Sequence, residues 1–221
     1  MNNEPVSVLI DFEAMGSRDT SIVLDLAAVV FKDSEVDSFS DLVNDKSRVF
    51  YAKFDISSQE GRTIDRDTYN WWTKQNETVR SILKPSAIDV RLREGIEQFE
   101  DFLHECKVDP KESLIYSRGT SYDYPIMENI VRSLGGLGRG SGMFPGAFWN
   151  QRDVRTAIAY AMLQPSLKKL PVAKGTFPGF IKHNSIHDVC KDAILLQTAL
   201  AYGRGTLEMP NLDDVNLFDA I

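Results

Sequence analysis

The sequence predicts an α/β fold, a mixed β-sheet flanked by helices, and three observations carry that prediction. The chain opens with β-branched apolar runs, its hydrophobic period lengthens toward the helical one after about residue 65, and helical and short apolar segments then alternate. With 221 residues, 43% hydrophobic and 26% charged, and with no internal repeat or linker, it reads as a single domain, its core over about 6–203 and an acidic tail over 205–221.

The elements follow in order. VSVLIDF (6–12) and SIVLDLAAVVF (21–31) suit strands buried on both faces, and RVFYAKFD (48–55) alternates as a third. DRDTYNWWTKQNETVRSIL and VRLREGIEQFEDFLHEC have helical character, the second with Leu92, Ile96, Phe99 and Leu103 on one stripe. SLIYS (113–117) is a short strand, and DYPIMENIVRSL a helix closed by GGLGRGSGMFPG. That Gly-rich stretch lacks the G-K-[ST] ending of a phosphate-cradling loop and follows a helix, which points to a mobile surface loop. AFW is a further short apolar segment before DVRTAIAYAML, a helix for which Asp153 is the natural N-cap. A last helix runs from about 186 to 202 and stops at Gly203, and the tail beyond it reads as loosely held.

Composition narrows the function. No apolar run approaches the roughly 20 residues that cross a bilayer, and the first residues lack a secretory signal, so a cytoplasmic protein is expected. Cys106 and Cys190 have no C-x-x-C spacing and read as small buried apolar residues. A net charge of -7 argues against coating nucleic acid. Yet no acidic residue lies between Asp153 and Asp188, where Arg155, Lys168, Lys169, Lys174 and Lys182 occur, a pattern suited either to gripping a short polyanion or to a solvated basic loop.

In LIDFEAMG, Asp11 and Glu13 lie two apart at a strand end and so point to one face, where two carboxylates need a cation, a shared proton or water. Asp123 follows a short strand and opens a helix, as a plain N-cap or as a third carboxylate at the same sheet edge; Asp192 adds a fourth. Hard oxygen ligands of this kind suit Mg²⁺ or Mn²⁺, and two such ions can drive phosphodiester hydrolysis with a neutral imidazole taking the proton.

DFEAMG, SYDYP and HDVCKDA, in this order, resemble the three exonuclease motifs of the DEDDh group of DnaQ-like 3'-5' exonucleases, whose fold is ribonuclease H-like. WWTKQ, FWNQRDVRT, LPVAKGT and SIHDVCKD resemble the exonuclease A group of T-even bacteriophages; the likeness spans about 6–203. The resemblance implies 3'-5' removal of nucleotides, in host cytoplasm if the chain is phage-encoded. It implies Asp11 bridging two metal ions, Glu13 and Asp192 completing the first site, Asp123 holding metal-bound water and His187 as general base. Ala14 stands where the family usually has Thr; Ala14, Met15, Gly16 and Lys174 are the implied substrate contacts, with Met15 as a wedge on the last base.

HNSIHDVCKD contains two overlapping frames, His183 with Asp188 and His187 with Asp192. Ser185 and Asp188 have capping-box spacing, which would give Asp188 a structural occupation and favour the second frame. Trp71 and Trp72 suggest base stacking, but adjacent helical residues face different ways, so at least one is expected in the core, leaving the other as the stacking candidate. The expected partner is the 3' end of single-stranded DNA. The alternatives are an exoribonuclease of the same fold, a zinc hydrolase using the H-x-x-x-H of His183 and His187, and a non-catalytic nucleic-acid-binding module.

Overall fold

The computed structural model describes residues 5–135 and 145–219. A five-stranded mixed sheet in the order β3-β2-β1-β4-β5 forms its centre. The strands are β1 (Ser7–Ala14), β2 (Val23–Phe31), β3 (Val49–Lys53), β4 (Ile115–Ser117) and β5 (Gln151–Asp153). The first three form the expected antiparallel meander, and β4 and β5 run parallel to β1, so their carboxyl ends lie along one edge.

Alternation along β1 divides the core. Val8, Ile10, Phe12 and Ala14 meet α4 (Leu92–Glu105) and α5 (Asp123–Ser133), with the anticipated stripe of Leu92, Ile96, Phe99 and Leu103 buried. Leu9 faces the other way, with Ala27, Val29 and Phe31 of β2, against α6 (Val154–Ala161) and α7 (Ser185–Arg204). The face that α7 covers therefore also receives the odd-numbered Asp11 and Glu13.

Local chemistry explains most boundaries. Asp153 caps α6 by accepting the Thr156 N–H at 2.8 Å. The helical segment after residue 65 is two helices, α2 (Arg66–Thr73) and α3 (Glu77–Arg80), because Asn76 caps a new start by accepting the Val79 N–H. The short α1 (Phe39–Leu42) precedes β3. Helix α7 does not stop at Gly203. That glycine lies inside it, where a Cβ would collide with the Ala161 carbonyl of α6, and the left-handed residue ending the helix is Gly205, φ 70°.

The acidic tail corrects a second expectation. Rather than hanging free, β7 (Val215–Asp219) pairs antiparallel with β6 (Lys169–Ala173), and Phe218 packs on Phe177 with ring centroids 4.6 Å apart. Apolar residues alternating along VNLFD drive this pairing. Residues 136–144 of the Gly-rich stretch lie outside the described residues. Cys190 is buried, Cys106 half-buried, and both are free thiols. Among the described residues, no helix is long and apolar enough to cross a membrane.

Candidate active site

Asp11 and Glu13 leave β1 half-buried on the α7 side. Across the ladder Asp11 stands opposite Ala27, and Glu13 opposite Asp25. Asp123 is buried at the start of α5 but is not its N-cap, which is Tyr122. It reaches back to β1 instead, Oδ1 accepting the Phe12 N–H at 3.0 Å. Its Oδ2 and the Ser117 hydroxyl are buried close to each other, and among the described residues neither makes a well-formed hydrogen bond.

Crowded carboxylates in low dielectric favour the protonated form. Burial, then the charges of Glu13, Asp123, Asp188 and Asp192, hold Asp11 well above the usual carboxylate range. Glu13 is raised by burial and by Asp25, Asp188 and Asp123. Burial pushes Asp123 up to about 7, against hydrogen bonding that favours its charge.

The start of α7 places the two His/Asp frames differently. Asn184, not Ser185, is the N-cap, and its side chain accepts the His187 N–H at 3.1 Å. Asp188 reaches back to accept the His183 N–H at 2.8 Å. Two side-chain bonds thus hold this turn, but they join different pairs, Asn184 with His187 and Asp188 with His183, so the reciprocal capping box expected of Ser185 and Asp188 does not form, and the Asp188 bond keeps His183 beside it. One ligand atom each from Glu13, His183 and Asp188 lie within 4.8 Å of one another. They border a cavity of about 260 Å³ with Asp11 and Asp192, and Arg118, Lys182 and Lys191 supply its positive side.

The expected general base, His187, does not reach this cavity. Its Nδ1 accepts the Ile181 N–H at 3.0 Å, and its ring meets Phe39 edge-on at 5.4 Å. With about 100° of rotation per helical residue, His187 and Asp188 face different neighbours. The two imidazoles thus diverge, which removes the zinc pair implied by H-x-x-x-H. Asp192 does border the cavity, but Arg118 binds both its oxygens, at 2.7 and 3.0 Å, and Lys191 lies 3.2 Å away. Lys191 also pairs with Asp188, at 3.1 Å.

His183 is the less obvious histidine because it precedes the helix. Its backbone is left-handed, φ 63°, a conformation uncommon for a residue with a Cβ and found disproportionately at functional sites. Burial lowers its pKa, with Asp188 opposing and Lys182 and Lys191 assisting. The S-x-x-D spacing hid this frame. The signal that could have revealed it is the asparagine directly after His183, itself a strong N-cap residue.

The implied substrate contacts are placed less favourably. Met15 is 4% exposed and packs with Ile22, Leu24, Trp72 and Val79, so it is a core residue rather than a wedge. Ala14 is buried, its carbonyl accepting the Trp72 indole N–H at 3.1 Å. Gly16 is buried where a Cβ would lie 2.7 Å from the Ser21 hydroxyl. Lys174 donates to the Asp213 carbonyl and does not line the acidic cavity. Of the tryptophans, Trp72 is core at 1% exposure and Trp71 is 40% exposed.

The cavity is acidic, has an imidazole at its rim and lies at the carboxyl edge of a mixed sheet, an arrangement suited to phosphodiester hydrolysis. Residues 6–200 match the family described as "3'-5' exoribonuclease Rv2179c-like domain", and the chain belongs to it. It is an exonuclease of the DEDDh type. Over 216 residues it is 37% identical to the exodeoxyribonuclease of Enterobacteria phage T4, covering 93% of this chain and 94% of that protein.

Among solved structures, cell-death related nuclease 4 is similar at TM-score 0.56 and 16% identity, over 90% of this chain and 64% of that one. The zinc-bound complex of E. coli ExoI with single-stranded DNA is similar at TM-score 0.55 and 12% identity, over 92% and 42%. The chain thus spans less than two thirds of either, and both likenesses concern the fold.

Proposed function

We propose that the chain removes nucleotides one at a time from the 3' end of single-stranded DNA, releasing 5'-mononucleotides, with two Mg²⁺ or Mn²⁺ ions held in the acidic cavity. The observation that carries this is the convergence of Glu13, His183 and Asp188 within 4.8 Å beside Asp11. The donor set fits a hard divalent cation: oxygens predominate, the carboxylates repel one another, and Asp123 keeps a buried oxygen without a well-formed hydrogen bond.

Asp11, Glu13, Asp123 and Asp188 are the residues that would hold metal, with Asp188 in the place expected of Asp192. Bound there, the ions would lower the pKa of a water and stabilise the departing oxygen. His183, kept neutral by burial, accepts the proton as the water oxygen attacks phosphorus. The bond from phosphorus to the 3' oxygen of the preceding nucleotide breaks, and the phosphate stays on the released nucleotide. Lys182 supplies positive charge to the incoming phosphate, and Asp192 holds Arg118 and Lys191 in place.

A second reading, hydrolysis of RNA, is favoured by the family's description as exoribonucleases, whereas the phage T4 relative is an exodeoxyribonuclease. End-labelled DNA and RNA oligonucleotides of one sequence, incubated with Mn²⁺, Mg²⁺ or Zn²⁺, decide between them. Single-nucleotide ladders from the 3' end of DNA support the proposal. Preference for RNA supports the second reading, and rapid cutting of circular strands overturns both.

A further inference from the structure

One buried contact fastens the first turn of α7 to the sheet. Ser185, 2% exposed, directs its hydroxyl at Asp25, whose two carboxylate oxygens lie 2.8 and 2.7 Å from Ser185 Oγ. Asp25 is itself 2% exposed and is the ladder partner of Glu13. Tyr51 and Lys53 of β3 face the same carboxylate and stabilise its charge. Lys53 is held in turn by the Lys84 carbonyl at 2.6 Å and Asp89 at 2.7 Å. Farther along, β2 and α7 meet through apolar residues such as Ala27, Val29 and Val189.

We propose that Asp25 and Ser185 are positioning residues that set the separation between Glu13 on the sheet and His183 and Asp188 at the start of α7. This rests on the metal-dependent function proposed above. A buried carboxylate is costly wherever an apolar pair would pack as well, as it does a turn later. What it provides is a directional bond. Ser185 lies two residues after His183 and three before Asp188, so a slip of this turn would move both relative to Glu13. Displacements of about 1 Å in such a constellation are enough to weaken metal binding and slow chemistry.

The test compares Ser185→Ala with Ser113→Ala in the full chain. Ser113 is equally buried and accepts a backbone N–H, from Asp109, outside the candidate site. Mn²⁺ binding is followed by electron paramagnetic resonance, alongside thermal unfolding and steady-state kinetics. Ser185→Ala should weaken Mn²⁺ binding and lower kcat by about tenfold or more, with KM for an oligonucleotide changing much less. Ser113→Ala should alter stability alone. Asp25→Asn, which keeps an acceptor for the hydroxyl, should retain most of the affinity that Asp25→Ala loses. Should Ser185→Ala fold poorly, Ser185→Cys, with similar volume and only a weak donor, serves the same comparison. Wild-type Mn²⁺ affinity and kcat in the folded Ser185 variants overturn the positioning role. Failure of the unmodified protein to bind Mn²⁺ overturns the metal-dependent function itself.

Discussion

The rings of Trp71 and His183 meet edge to face, centroids 4.9 Å apart and planes at 90°. An exposed indole therefore stands beside the acidic cavity, while its neighbour Trp72 is sealed in the core. Trp71→Ala should leave the melting temperature nearly unchanged and weaken binding of a single strand by about 1–3 kcal/mol, as fluorescence titration in Ca²⁺ would measure. Trp72→Ala should cost about 3–5 kcal/mol of stability in denaturant unfolding. Unaltered oligonucleotide affinity in Trp71→Ala would exclude base stacking there.

The two histidines should separate cleanly. His183→Ala should lower the cleavage rate by about 10²-fold or more, the range for loss of a general base. His187→Ala should keep most of its activity but lose stability, because it removes the acceptor of the Ile181 N–H and the edge contact with Phe39. Single-turnover rates at saturating Mn²⁺ measure this. A dead His187→Ala beside a normal His183→Ala would reverse the assignment.

Asp188 and Asp192 should also part company. Asp188→Asn keeps an acceptor for the His183 N–H, so it should fold normally while losing metal affinity and most activity. Asp192→Asn takes the charge from a carboxylate gripped at both oxygens by Arg118. It should cost about 1–3 kcal/mol of stability with a smaller effect on metal binding. Calorimetric titration with Mn²⁺ and thermal melts of both variants are the check.

Stability of the metal-free protein should fall as pH rises. Asp11, Glu13, Asp25 and Asp123 have folded-state pKa values above their unfolded ones, so between the two the native state binds more protons. The stability slope is then negative, beginning near the unfolded values of about 4 and continuing through the value of about 7 for Asp25 and Asp123. Melting temperatures in EDTA should drop from pH 5 to pH 8, and Mn²⁺ should restore far more at pH 8 than at pH 5. For the same reason Asp11→Asn should melt higher than the unmodified metal-free protein while cleaving nothing. A flat melting profile in EDTA would remove the electrostatic argument.

What the sequence disclosed follows from the range of each signal. Period-two alternation put Asp11 and Glu13 on one face, and period 3.6 identified the α4 stripe, because both are local. The His/Asp frame was hidden since Asp188 and Asp192, four apart, share a helix face, and spacing cannot rank them. Long-range contacts rank them: Ser185 is engaged by Asp25, and Arg118 occupies Asp192. Strand β5, with the polar sequence QRD, carries no hydrophobic signature and exists because β4 offers it a parallel edge. Residues Met15 and Lys174 were placed by family likeness, and packing in this chain puts them elsewhere.

With His183 as the proposed base, its left-handed backbone sets heat resistance against turnover. Glycine adopts that conformation without strain and asparagine with little, so His183→Gly or His183→Asn would relieve about 1 kcal/mol of backbone strain. A library screened only for survival at high temperature would therefore accumulate replacements at this position and return robust, inactive proteins. Stabilisation of this enzyme has to be sought elsewhere, with residue 183 held fixed.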